Sequence, residues 1–102
     1  MFAAVWAFEV DEDRRAAFEL AYGPGGDWAE LFRLDEAYLG TELLADTARP
    51  GHYLTIDRWR SSAAFDGFMA GHGAEYEALD ARLEGLASRE VPLGAFDVVE
   101  GG

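Results

Sequence analysis

The chain of 102 residues has a formal net charge of −12, with eight arginines and no lysine. Half of the residues are hydrophobic and 14% are aromatic, enough for one packed domain over residues 1–102 and too apolar for a disordered chain. The lack of cysteine excludes disulfides, thiolate metal sites and cysteine nucleophiles, and eight scattered cations in an acidic chain argue against nucleic acid or an acidic membrane surface as partner.

Phe2 to Val10 alternates and reads as a strand, with Phe2, Ala4, Trp6, Phe8 and Val10 on one face and Ala3, Val5, Ala7 and Glu9 on the other. No basic region precedes it, so it is not read as a signal peptide. No apolar run approaches the roughly 18 residues that span a bilayer, and a cytoplasmic location is the default expectation. Asp11, Glu12 and Asp13 place acid at the start of a helix, where the macrodipole favours it, and Ala17, Phe18, Ala21 and Tyr22 form its apolar stripe. Gly23-Pro24-Gly25-Gly26 breaks that helix, and Asp27 is a candidate cap for a second piece carrying Trp28, Leu31 and Phe32. The glycine cluster lacks the spacing and the lysine of a phosphate loop.

Tyr38 to Ala45 reads as the second strand, with Gly40 at a bulge, and Asp46 to Gly51 as a hairpin turn. The next strand, Tyr53 to Trp59, has Leu54 and Ile56 on one face and Tyr53, Thr55, Asp57 and Trp59 on the other. It therefore needs cover on both sides. Ser61 or Ser62 can cap the helix that follows. Phe65, Phe68, Met69, His72, Tyr76, Leu79, Leu83 and Leu86 make its stripe, and Gly71 and Gly73 predict a kink or break that holds His72. Pro92 and Gly94 are expected to bracket a turn into a last strand, Ala95 to Val99, and Gly101-Gly102 to fray. The order β-α-β-β-α-β predicts an α+β, ferredoxin-like protomer: a four-stranded antiparallel sheet with helices on one face. The bare face carries apolar residues from several strands, which predicts a homodimer with two sheets packed face to face.

The run Tyr53-Leu54-Thr55-Ile56-Asp57-Arg58-Trp59, then Phe65, Phe68, His72 and Tyr76, then Leu93-Gly94-Ala95-Phe96, resembles the antibiotic biosynthesis monooxygenase family. The resemblance implies a dimeric α/β barrel with a pocket between sheet and helices in each protomer. It also implies oxidation of a phenolic, aromatic or quinol-type small molecule by O₂ without metal or flavin, the substrate supplying the electrons. Two departures stand out. Where quinone-forming members carry Asn and Tyr, this chain has Thr55 and Phe65, and it contains no asparagine at all. Haem-degrading relatives use an Asn, a Trp and a His, of which Trp59 and His72 are present at a longer spacing than expected.

Within that resemblance, Trp59, Phe65 and Phe68 are candidate walls for a flat ligand, with Thr55 and Tyr53 on the same strand face. Each is equally readable as core. His72 is a candidate base toward a phenol and Tyr76 a second polar group, against the alternative of a half-buried histidine at a helix break and a core tyrosine with its hydroxyl at the rim. Asp57 reads as a structural ion-pair member. An elongated cavity is expected between Trp59 and His72, flanked by Phe65, Phe68 and Met69. No cofactor is expected, and no metal, since His52 and His72 lie far apart in sequence without a carboxylate pairing on one helix face. The alternatives are a non-catalytic dimeric module that binds a hydrophobic metabolite and an isomerase or cyclase with His72 as base.

Overall fold

Alternation at the N-terminus becomes β1 (Phe2–Glu9), and the second and third strands become β2 (Tyr38–Ala45) and β3 (His52–Trp59) in a computed structural model that describes residues 1–100. Gly101-Gly102, expected to fray, lie outside the described residues. The sheet order is β2-β3-β1-β4, with every pairing antiparallel. Phe2 pairs with Trp59, Ala4 with Asp57, Trp6 with Thr55 and Phe8 with Tyr53, so these eight residues share one face of the two central strands. That face packs on the helices and forms the core with Phe18, Tyr22, Trp28, Phe32, Phe68, Leu79 and Leu83. The architecture is α+β and ferredoxin-like.

The last strand differs from expectation. β4 runs Arg89–Asp97, so Pro92 and Gly94 lie inside it and not in a turn before it. β4 is a sheet edge, where a proline's missing N–H costs no ladder bond on the open side. The register shifts between Val5 and Trp6, leaving Leu93 as the extra residue between Pro92 and Gly94. Gly94 takes φ 142°, a conformation that side chains disfavour. The bulge expected at Gly40 is present, with Leu39 unpaired between Tyr38 and Gly40.

Each crossover helix is broken in two. A 3₁₀ turn (Glu12–Arg14) leads into α1 (Arg15–Tyr22), which buries Phe18, Ala21 and Tyr22 while Ala17, expected in the stripe, faces solvent. α2 (Asp27–Phe32) buries Trp28, Ala29 and Phe32. Its cap is Gly26, not Asp27; a Cβ at Gly26 would collide with the carbonyl oxygens of Leu20 and Ala21. Asp27 is thereby free to pair with Arg82 at 2.9 Å. α3 (Ser62–Gly71) starts at Ser61, whose Oγ accepts from the Ala64 N–H at 3.1 Å. It stops at His72, whose φ of −122° is not helical, and α4 (Gly73–Arg82) follows. Ser61 supplies the hydroxyl acceptor and the two glycines the weak point.

Candidate functional site

Breaking both crossovers leaves a gap between sheet and helices. A cavity of about 220 Å³ fills it. Trp6 and Phe8 of β1 and Thr55 and Asp57 of β3 form its floor. Tyr22 of α1, Trp28 and Phe32 of α2 and Tyr76 of α4 form its walls, and Asp80 and Glu90 stand at its exposed mouth. The rings of Trp28 and Tyr76 lie 4.8 Å apart, so the helical wall is continuous aromatic surface.

Asp57 is the unusual member. Its neighbour across the strand pair is Thr41, whose Oγ1 donates to Asp57 Oδ1 at 2.6 Å. A hydroxyl has one proton to give, so Tyr38, whose hydroxyl is 2.5 Å from Thr41 Oγ1, donates in turn to the threonine. The chain Tyr38–Thr41–Asp57 holds the carboxyl in place without neutralising it. The ion pair expected for Asp57 is absent among the described residues: its neighbour in sequence, Arg58, lies on the opposite face and pairs with Glu42. Burial pushes the Asp57 carboxyl up to about 6, with the Thr41 bond opposing. The residue keeps some exposed surface and lines the cavity.

The ionisable groups that line the cavity are all acids. Burial raises the Tyr76 phenol, and Asp80, Asp57 and Glu90 raise it further. The Tyr22 phenol is pushed up to about 12, chiefly by burial, with the Trp28 indole opposing and Glu90 adding. Tyr22 donates to Glu90 at 3.3 Å. Glu90 is itself raised by burial and by Asp80, against the Tyr22 bond. No arginine or histidine lines the cavity among the described residues.

Thr55 and Tyr76 are thus the two sequence-predicted residues at this cavity. Trp59 and Phe68 are fully enclosed, and Phe65 packs on them; ring centroids of Phe65 and Phe68 lie 5.5 and 5.1 Å from Trp59. The space expected to be an elongated cavity between Trp59 and His72 is therefore packed core. His72 lies outside the cavity lining, its Nδ1 2.7 Å from Glu75 and its ring stacked on Phe68 at 4.7 Å. Tyr53 is buried at the far end of the same face and donates to Glu19 at 2.5 Å. Reading the sequence missed the other eight cavity residues: Trp6, Phe8, Tyr22, Trp28, Phe32, Asp57, Asp80 and Glu90. Asp57 carried a signal: an acid placed by alternation on the helix-facing side of a central strand. No group of histidines and carboxylates among the described residues has metal-binding geometry.

The profile of the family described as antibiotic biosynthesis monooxygenase matches residues 1–78. The chain belongs to that family. The matched stretch includes every cavity residue except Asp80 and Glu90. No curated protein matches the chain significantly. Among solved structures, a Deinococcus radiodurans protein grouped with the antibiotic biosynthesis monooxygenases is 21% identical, covering 99% of this chain and 95% of its own, with a TM-score of 0.71. SnoaB, a cofactor-independent oxygenase from Streptomyces nogalater, is 18% identical, with coverages of 98% and 94% and a TM-score of 0.65. MhuD, a haem degrader from Mycobacterium tuberculosis with two haems bound in its active site, is 20% identical, with coverages of 100% and 99% and a TM-score of 0.68. At these identities the family members share a fold with the chain; their chemistry is their own.

Proposed function

We propose that the cavity binds a flat aromatic small molecule of phenol or quinol type, and that the protein oxidises it with O₂ as a cofactor-independent monooxygenase. The single observation that carries this reading is the buried, unpaired carboxyl of Asp57 in the floor of an aromatic-walled cavity. A carboxyl at about 6 is largely ionised at neutral pH yet far more basic than an ordinary aspartate, which suits it to take the proton of a phenolic hydroxyl. The resulting phenolate is electron-rich, and a ring CH₂ conjugated to it becomes a carbonyl on reaction with O₂, one oxygen atom staying and the other leaving as water with both hydrogens. Trp28 and Tyr76 stack on the substrate and exclude water, and Thr41 and Tyr38 position Asp57. The cavity lies below the roughly 300–1,000 Å³ common for ligand pockets, which favours two or three fused rings over a porphyrin. Oxygen uptake with a panel of anthrones and naphthalene-diols tests the reaction. Uptake with stoichiometric product supports it, whereas binding without uptake supports the alternative of a non-catalytic module for a hydrophobic metabolite.

The working unit in this reading is a homodimer joined through the uncovered sheet face. What supports the pairing is the chemistry of that face: Val5 pairs with Ile56 and Ala7 with Leu54 across the central strands, and Leu44, Leu93 and Phe96 are exposed around them. A hollow of about 490 Å³ lies there, lined in part by Ala7, Leu44, Leu54, Val91 and Leu93. Ile56→Asp places an unpaired charge in the centre of the interface and is expected to shift the protein wholly to monomer at micromolar concentration. Sedimentation velocity reads this directly; a wild-type protein that sediments only as the 11.2 kDa chain contradicts the dimer.

A further inference from the structure

The substrate is narrowed by a second property of the cavity, one that rests on its being the binding site. Asp57 sits in the floor, and Asp80 and Glu90 stand at the mouth, with no cationic side chain lining the space between them among the described residues. Asp57 Oδ1 is taken by Thr41, and no hydrogen-bond donor among the described residues meets Oδ2. A neutral phenol that passed its proton to Asp57 would move that negative charge onto the ring while Asp80 and Glu90 keep theirs, so three negative charges would remain with no cation among them. Trp6, Trp28 and Tyr76 line the same cavity as the carboxylates, and aromatic ring faces attract cations within about 6 Å of the ring centre. Aromatic faces and uncompensated carboxylates together make a receptor for a cation with an apolar body. Burial chiefly raises Glu90 and Tyr76, and the neighbouring carboxylates add to it; that added repulsion is what a bound cation would relieve.

We propose that the ligand of this cavity is an aromatic molecule bearing a protonated amine, its ring against Trp28 and Tyr76 and its ammonium directed to Asp80 and Glu90 at the mouth. The amine offsets the acidic field, so the phenolic hydroxyl at the Asp57 end can ionise. Asp80 and Glu90 lie beyond the stretch matched by the family profile.

The test is isothermal titration calorimetry of the full-length protein at pH 7.5 with three 2-naphthols of matched size, bearing an aminomethyl, an ethyl or a carboxymethyl group. The aminomethyl compound is expected to bind about tenfold or more tighter than the ethyl compound, and the carboxymethyl compound weakest. In an Asp80→Asn, Glu90→Gln double variant the ratio between aminomethyl and ethyl affinities is expected to collapse toward one. Asp80 and Glu90 are exposed overall, and a glutamine at position 90 can still accept the Tyr22 hydroxyl; a thermal melt checks that the double variant stays folded. Equal affinity for all three compounds, or a preference for the carboxylate, overturns the charge inference and leaves the aromatic pocket standing. Failure of all three to bind overturns the pocket as well.

Discussion

Asp57→Asn is expected to stop turnover while making the protein more stable at neutral pH. Loss of a proton acceptor costs about 10²–10⁴ in rate, and an amide cannot accept the phenolic proton at all. The stability effect has the opposite sign to most core substitutions. In the unfolded chain Asp57 titrates near 3.9, but in the folded protein burial pushes it up to about 6. Between those values the folded state binds more protons than the unfolded one, so stability falls as pH rises through the window and stays low above it. About two units correspond to about 3 kcal/mol at neutral pH. Asn removes that penalty, and its Oδ1 can still accept from Thr41. At about 4–8 °C per kcal/mol, melting at pH 7.5 is expected to rise by on the order of 10–20 °C, and the gap to close below pH 4. A variant less stable than wild type by the same amount at both pH values would show that the carboxylate is comfortably solvated and no functional strain is stored there.

Trp59→Ala is expected to come close to unfolding the protein. The ring is fully enclosed, with Phe32, Tyr38, Phe65 and Phe68 at centroid distances of 5.5, 5.4, 5.5 and 5.1 Å. These neighbours come from α2, β2 and α3, so the cavity left behind cannot collapse without moving three elements. The expected loss is about 3–5 kcal/mol, a large part of the 5–15 kcal/mol that holds a typical domain. Trp59→Phe is expected to cost clearly less. It retains most of the ring contacts and removes an indole N–H that has no acceptor in the fold. Urea denaturation of the two variants separates these outcomes; equal losses would mean that the indole's polar edge, not its volume, matters.

Those two residues show where the sequence was readable and where it was not. Strict alternation placed Asp57 and Trp59 on one strand face, and the register confirms it. Ser61 and the Gly71–Gly73 pair marked the start and the break of the second crossover for local reasons, through a side-chain acceptor and two weak helix formers. β4 was misjudged because proline reads as a turn residue unless the strand is known to be an edge, and edge position is a property of the whole sheet. The sequence points to a cavity along α3, between Trp59 and His72, because the helical stripe that carries His72 must pack over the strand that Trp59 ends. It lies instead where the break in each crossover leaves room, bounded by Trp6 and Trp28 from the first half of the chain and Tyr76 from the second. Asp57 looked like an ion-pair member because its partner, Thr41, is sixteen residues away and is revealed only by strand register.

The central claim, that ligand enters the cavity over Asp57, is tested most directly by the indole N–H signals in a ¹H–¹⁵N NMR titration with 2-naphthol. The chain has three tryptophans, and they are placed as reporters: Trp6 and Trp28 line the cavity, and Trp59 is sealed in the core. Saturable shifts of the Trp6 and Trp28 signals, with Trp59 nearly still and backbone shifts gathered at Thr55, Asp57 and Tyr76, are the predicted result. Shifts centred on Trp59 and His72, or on Leu54 and Ile56 of the uncovered face, contradict it.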